Sequence, residues 1–249
     1  MGVSTVPQNQ PPTAELLGVP ISQLSMDQTI EWFEGRIQAK MPGLVITADA
    51  TALVIARETP SFSAVLAKAD LITADSAGIL WALRRNGVPN PPKVSGVELV
   101  DKLTALSAQK GYRLFYLGSA PGVTDMAAER MRLRWPGCNI VGTRHGFFPA
   151  TDDEVVAQEI AATNPDILFV AMGMPRQEEF ILKTLPIIGA LGMGVGGSFD
   201  VYSGKTKRAP KWMQRAHLEW LWRLALNPTK IAKVKKLPQF VWMILRGVR

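Results

Sequence analysis

Leu71-Ile72-Thr73-Ala74-Asp75-Ser76-Ala77-Gly78 decides the fold. It opens as a short apolar run with a β-branched centre and closes on an acid, a small polar residue and a glycine. The helix-forming run Ile79-Leu80-Trp81-Ala82-Leu83-Arg84 follows. This pattern predicts a strand, a tight turn and a helix start. In an open α/β sheet, ligands bind in the crevice beyond the carboxyl ends of the strands, and Asp75 stands at such an end. Two readings of Asp75 compete: a helix N-cap, shared with Ser76, or a reactive carboxylate.

Leu44-Val45-Ile46-Thr47-Ala48-Asp49 has the same form and runs into Ala52-Leu53-Val54-Ile55-Ala56-Arg57. Consecutive strands joined by a helix are usually neighbours with a right-handed crossover. Asp49 and Asp75 are therefore expected to face one crevice. Neighbouring like charges favour retention of a proton, which suits a general base.

Outward from these two units the alternation continues. Residues 1–13 are polar and proline-rich and read as a disordered lead-in. A short extended stretch, 16–21, reads as an edge strand because Pro20 tolerates only an edge. Ser25 and Gln28 form a capping box that opens a helix through Ile30, Phe33 and Ile37. Further strands are expected at 113–117, 139–142, 166–171 and 188–195. Helices are expected near 61–68, from the Val94–Leu99 stretch to Lys110, and near 123–134, 152–162 and 177–185, the fourth with a Thr151/Glu154 capping box. Residues 86–93 and 197–204 read as loops. The β-α alternation implies a mostly parallel, Rossmann-like sheet with helices on both faces. It stops near residue 205, where two helical stretches, 208–226 and 229–246, form a C-terminal appendage. The expected division is a lead-in 1–13, a catalytic domain 14–204 and an arm 205–249.

Composition narrows the classes. The chain of 249 residues is 47% hydrophobic and 20% charged, ample for a core. A single cysteine, Cys138, excludes an internal disulfide and fits a reducing compartment. His145 and His217 lack metal-ligand spacing. No run approaches the roughly 18–20 apolar residues of a spanning helix, and no basic-then-apolar leader opens the chain. A cytoplasmic location is expected. Of 28 basic and 21 acidic residues, 12 basic and one acidic (Glu219) lie in 205–249, leaving 16 basic and 20 acidic before it. The basic character thus belongs to the arm, and a basic arm suggests a polyanion.

Two familiar motifs mislead. Gly192, Gly194 and Gly197 match G-x-G-x-x-G, but they fall within and after a late strand, and no amphipathic helix is expected at Gly197. A nicotinamide oxidoreductase is correspondingly disfavoured. Gly204-Lys205-Thr206 resembles the end of a P-loop, but Phe199 occupies the required glycine position. Gly118-Ser119-Ala120-Pro121-Gly122 is better placed, joining a strand to a helix N-terminus whose free N–H groups favour phosphate; a plain tight turn is the alternative. Gly173-Met174-Pro175-Arg176-Gln177-Glu178 repeats that geometry one unit later. There Gln177 could read a base or sugar and Arg176 could pair with phosphate, or simply sit at the surface. No Asp-x-Asp occurs, so a leaving diphosphate would be neutralised by Arg, Lys and helix N-termini. In the arm, Arg208, Arg215, Glu219 and Arg223 share one helix face. Phe240-Val241-Trp242-Met243-Ile244-Leu245, flanked by Lys235-Lys236 and Arg246, suits a segment lying in a membrane interface. Its tryptophans favour an anionic membrane surface over nucleic acid, and a second copy of the chain could also cover the arm's face.

Taken together these residues resemble the WecG/TagA/CpsF glycosyltransferase family, from about Leu17 to about Pro228. The motifs are Thr47-Ala48-Asp49, Ala74-Asp75-Ser76-Ala77-Gly78, Val94-Ser95-Gly96, Leu117-Gly118-Ser119 with Pro121-Gly122, Gly173 to Glu178, Gly196-Gly197-Ser198-Phe199-Asp200, and Arg208-Ala209-Pro210. The resemblance implies an inverting enzyme that needs neither metal nor cofactor. It would move an N-acetylmannosamine-like sugar from a UDP-sugar to a polyprenyl-diphosphate-linked saccharide, at the inner face of the plasma membrane, in cell-surface polysaccharide assembly. It implies Asp75 as base, with Thr47 and Asp49 near the acceptor; Asp49 departs from the family's asparagine. For substrate binding it implies Lys93, Ser95, Gly118, Ser119, Gly173, Arg176, Gln177, Glu178, Gly197, Phe199 and Asp200, and the arm arginines Arg208, Arg215 and Arg223.

Overall fold

The computed structural model describes residues 11–207 and 236–247, together with 209, 210, 212, 213, 221 and 222. Six parallel strands form its centre: β3 (Gly43–Ala48), β4 (Leu71–Ala74), β5 (Arg113–Gly118), β6 (Asn139–Arg144), β7 (Ile167–Ala171) and β8 (Leu191–Gly194), in the order β4-β3-β8-β7-β5-β6. Side chains alternate between two cores, as a parallel sheet covered on both faces requires. Leu44, Ile46 and Ala48 of β3 join one core, as do Leu168 and Val170 of β7; Val45, Ile167 and Phe169 join the other. The first core lies under α2 (Ala50–Glu58), α3 (Pro60–Leu66), α4 (Ala77–Arg85), α7 (Asp153–Ala162) and α8 (Arg176–Ile188). The second lies under α1 (Met26–Gln38), α5 (Gly96–Lys110), α6 (Val123–Arg134) and α9 (Ser198–Tyr202). Strand order reverses around β3 and β8, which is where a doubly wound sheet opens its crevice.

Local rules explain most boundaries. The Ser25–Gln28 box is present, with the Gln28 N–H on the Ser25 hydroxyl and the Ser25 N–H on the Gln28 amide oxygen. α5 ends at Gly111 and α8 at Gly189, each in a left-handed conformation. Four expectations are corrected. Residues 16–21 are not one edge strand: β1 (Thr13–Leu16) and β2 (Val19–Ser22) form a separate antiparallel hairpin, turned at Leu17-Gly18, both with positive φ. The Thr151/Glu154 box does not form, because the Thr151 hydroxyl donates to the Asp152 carboxylate and a short 3-10 turn precedes α7. The strand expected over 188–195 is confined to Leu191–Gly194, since α8 runs on through Pro186 to Ile188. The loop expected at 197–204 holds the short helix α9. The expected disorder of residues 1–10 lies outside the described residues, and Thr13 already belongs to β1.

Helix α10 (Lys236–Leu245) returns to the first core. Phe240, Met243 and Ile244 are buried there, and the helix lies against α2. Lys236 pairs with Glu58, and the Gln239 amide donates to the same carboxylate at 2.9 Å. These two hydrogen bonds hold the Glu58 pKa below the usual range. Val241, Trp242 and Leu245 remain 40%, 51% and 54% exposed, which leaves an apolar outer face, and the Arg246 guanidinium lies over the Trp242 ring. No helix among the described residues is long and apolar enough to cross a membrane.

Candidate active site

Four segments meet at the carboxyl ends of β3 and β4. The strands are paired Thr47 to Thr73 and Ala48 to Ala74, and the Asp75 N–H extends the ladder onto the Ala48 carbonyl at 2.9 Å. Asp75 is therefore fixed one residue beyond the sheet, half-buried at the rim. The proline-rich loop after α4 returns to the same place. The Val94 N–H donates to the Ala74 carbonyl at 2.9 Å, and the Thr73 hydroxyl donates to the Val94 carbonyl at 3.2 Å. Lys93 is thereby delivered beside the Asp75 turn, and Ser95, buried, precedes the first turn of α5.

Capping separates the two acids. Asp49 is the N-cap of α2, accepting the Ala52 N–H at 2.9 Å. The cap of α4 is Ser76, not Asp75; its hydroxyl accepts the Ile79 N–H at 3.4 Å and also the Ala50 N–H of the neighbouring turn at 3.2 Å. Sequence reading treated Ser76 only as a cap and missed this bridge, which depends on the register of β3 and β4. Asparagine caps as well as aspartate. Asp49→Asn is expected to change folding stability by less than about 0.5 kcal/mol, and Asp49→Ala to cost about 1 kcal/mol, measured by urea denaturation.

Thr47 faces the next strand. Its hydroxyl donates to the Gly194 carbonyl of β8 at 3.0 Å. The N-terminus of α5 closes over it so tightly that a Cβ on Gly96 would lie 2.8 Å from Thr47 Oγ1, which accounts for the glycine in Val94-Ser95-Gly96.

The other glycine turns follow along the rim. Gly118 adopts φ +130° against the Ala171 backbone, and Ser119 adopts φ +54° with its N–H on the Ala171 carbonyl at 2.8 Å. Gly122 caps α6 with no side-chain acceptor for the first N–H groups, the arrangement that favours an anion. In the Gly173 to Glu178 turn, Arg176 is already engaged by other side chains. It is ion-paired with Asp153, itself 3% exposed, and lies against the rings of Phe148 and Phe180. Its charge is already compensated, an outcome no spacing in the sequence signals. Gln177 and Glu178 are both buried, and the Gln177 amide donates to the Glu178 carboxylate at 2.6 Å. In the last turn Gly197 caps α9 and Asp200 is half-buried. Phe199, expected at a ligand, is wholly buried and stacked on Tyr116 with centroids 4.8 Å apart. Its place is the core. Arg208, Arg215 and Arg223 lie outside the described residues, although the Trp222 indole N–H reaches the Lys207 carbonyl at 2.9 Å.

The model for the "Glycosyl transferase WecG/TagA/CpsF family" matches residues 14–249, through the arm as well as the sheet. The chain belongs to this family. Among similar proteins is the N-acetylglucosaminyldiphosphoundecaprenol N-acetyl-beta-D-mannosaminyltransferase of Bacillus spizizenii strain W23. It is 35% identical, and the alignment covers 92% of this chain and 91% of that protein. Proteins of the same name from Bacillus subtilis strain 168 and Staphylococcus aureus strain NCTC 8325 are 29% and 28% identical. Each alignment covers 94% of this chain, with 91% and 93% of the relatives. The WecG/TagA/CpsF match thus extends beyond the Leu17 to Pro228 span over which the motifs alone carry the resemblance.

Proposed function

We propose that this WecG/TagA/CpsF glycosyltransferase moves an N-acetylmannosamine-like sugar from a UDP-sugar to N-acetylglucosamine linked to a polyprenyl diphosphate. The transfer inverts the anomeric centre and uses no metal. The observation that carries the reading is the convergence of Asp75, Thr47, Asp49 and Lys93 on one rim, in a chain whose relatives bear that acceptor and sugar in their names. Asp75 takes the proton of the acceptor hydroxyl. The oxygen attacks the anomeric carbon, the bond to the UDP oxygen breaks, and UDP leaves as an anion. The turns at Gly118, Gly173 and Gly197, the N-terminus of α6 and the arm cations receive that charge. Lys93, brought beside the Asp75 turn by the Val94 N–H on the Ala74 carbonyl, is the cation of this rim that would meet a phosphate. The outer face of α10 and the basic arm hold the enzyme on an anionic membrane, where a polyprenyl carrier resides.

The test is UDP release from a panel of UDP-sugars with synthetic polyprenyl-diphosphate N-acetylglucosamine, with and without EDTA. Release is expected with UDP-N-acetylmannosamine only when the acceptor is present, and EDTA should change the rate by less than about twofold. Release that ignores the acceptor, or that EDTA abolishes, contradicts the reading.

A further inference from the structure

We infer that Gln177 is a positioning residue: it braces two adjacent turns of the rim and does not touch substrate. Its side chain is 4% exposed. The amide oxygen accepts the Gly173 N–H at 3.1 Å and the Gly196 N–H at 3.2 Å. The amide nitrogen donates to the Glu178 carboxylate at 2.6 Å. An amide oxygen has two lone pairs, and both are used without any ligand. Gly173 and Gly196 each stand two residues past the last residue of a strand, β7 and β8, which are neighbours in the sheet. Beyond the strand ends the backbone ladder stops, and turn N–H groups need other partners. Gln177 supplies one acceptor to both turns.

The same device recurs in sheet order. Between β4 and β3, the Ser76 hydroxyl accepts the Ala50 N–H. Between β3 and β8, the Thr47 hydroxyl donates to the Gly194 carbonyl. Between β8 and β7, Gln177 ties Gly196 to Gly173. Three side chains therefore close three consecutive strand boundaries along the edge where the ligand is placed above. Donors that are aimed before the ligand arrives cost no reorganisation when charge develops. What the turns receive rests on the proposed transferase reading; the brace itself does not.

The experiment is amide hydrogen exchange on the full chain without substrate, with UDP affinity and transfer kinetics alongside. Gln177→Met keeps the volume and removes the acceptor. The Gly173 and Gly196 amides are expected to exchange about tenfold faster together, Phe169 within β7 to stay protected, and UDP affinity to fall about tenfold. Gln177→Asn keeps a neutral amide but is one methylene shorter and cannot reach both turns at once, so the same two amides should exchange faster, which also keeps the test alive if the Met variant fails to fold. Unchanged amides with lost transfer in Gln177→Met would mean that the side chain acts on substrate, overturning the inference. Faster amides with unchanged UDP affinity and KM would overturn it too. The exchange needs no substrate. An unmutated protein that binds no UDP would sink the transferase reading separately.

Discussion

Asp75→Asn is expected to lower turnover by roughly 10²–10⁴-fold, the usual contribution of a positioned general base, while UDP binding stays within about twofold. The amide is isosteric with the carboxylate but cannot take the acceptor's proton. The variant keeps the backbone framework of the rim. Ser76, not Asp75, caps α4, and the rim is held by the Asp75 backbone N–H on Ala48, which the substitution leaves intact. Loss of turnover with normal folding would therefore report on chemistry. Undiminished turnover would remove Asp75 from its role.

The second large effect concerns the membrane. α10 has two apolar faces, one seated on α2 through Phe240, Met243 and Ile244, the other exposed at Val241, Trp242 and Leu245. Truncation would uncover the first and confuse folding with binding. Val241→Ser with Trp242→Ser and Leu245→Ser changes only the second. At about 25 cal/mol per Å² of apolar surface, these side chains contribute roughly 2–3 kcal/mol when placed in an interface. Affinity for anionic vesicles is expected to fall by about 30- to 150-fold, with thermal stability little changed and transfer to a lipid-linked acceptor reduced. Equal vesicle affinity in a co-sedimentation assay would show that this face does not meet the membrane.

The catalytic half of the fold was largely legible because parallel strands buried on both faces leave continuous apolar runs. Leu44 to Ala48, Leu71 to Ala74 and Ile167 to Ala171 are such runs; the first two end at an acid, Asp49 and Asp75, and the third just before the glycine turn at Gly173. Local chemistry was legible where it is self-contained, as in the Ser25–Gln28 box. It failed where a competing partner exists. Thr151 found Asp152 instead of an N–H. The helix expected over 177–185 is anchored by Phe180, Ile181 and Thr184 beneath it and runs on through Pro186 to Ile188. The site was legible as a set of motifs but not as an arrangement. Residue type marked Gln177, Arg176 and Phe199 alike, and only packing separates a brace between two turns, a cation held by Asp153 and a ring stacked on Tyr116. The double use of Ser76 depends on β3 and β4 being adjacent in a particular register, which no local spacing encodes.

The central claim is that the carboxylate at the end of β4 takes the acceptor's proton. The most direct test is the pH dependence of kcat, measured with saturating UDP-sugar and lipid-linked acceptor, for the unmutated enzyme and for Asp75→Asn. The account predicts an acid limb of unit slope in the first, and a low rate without that limb in the second. The same acid limb in both proteins would contradict it.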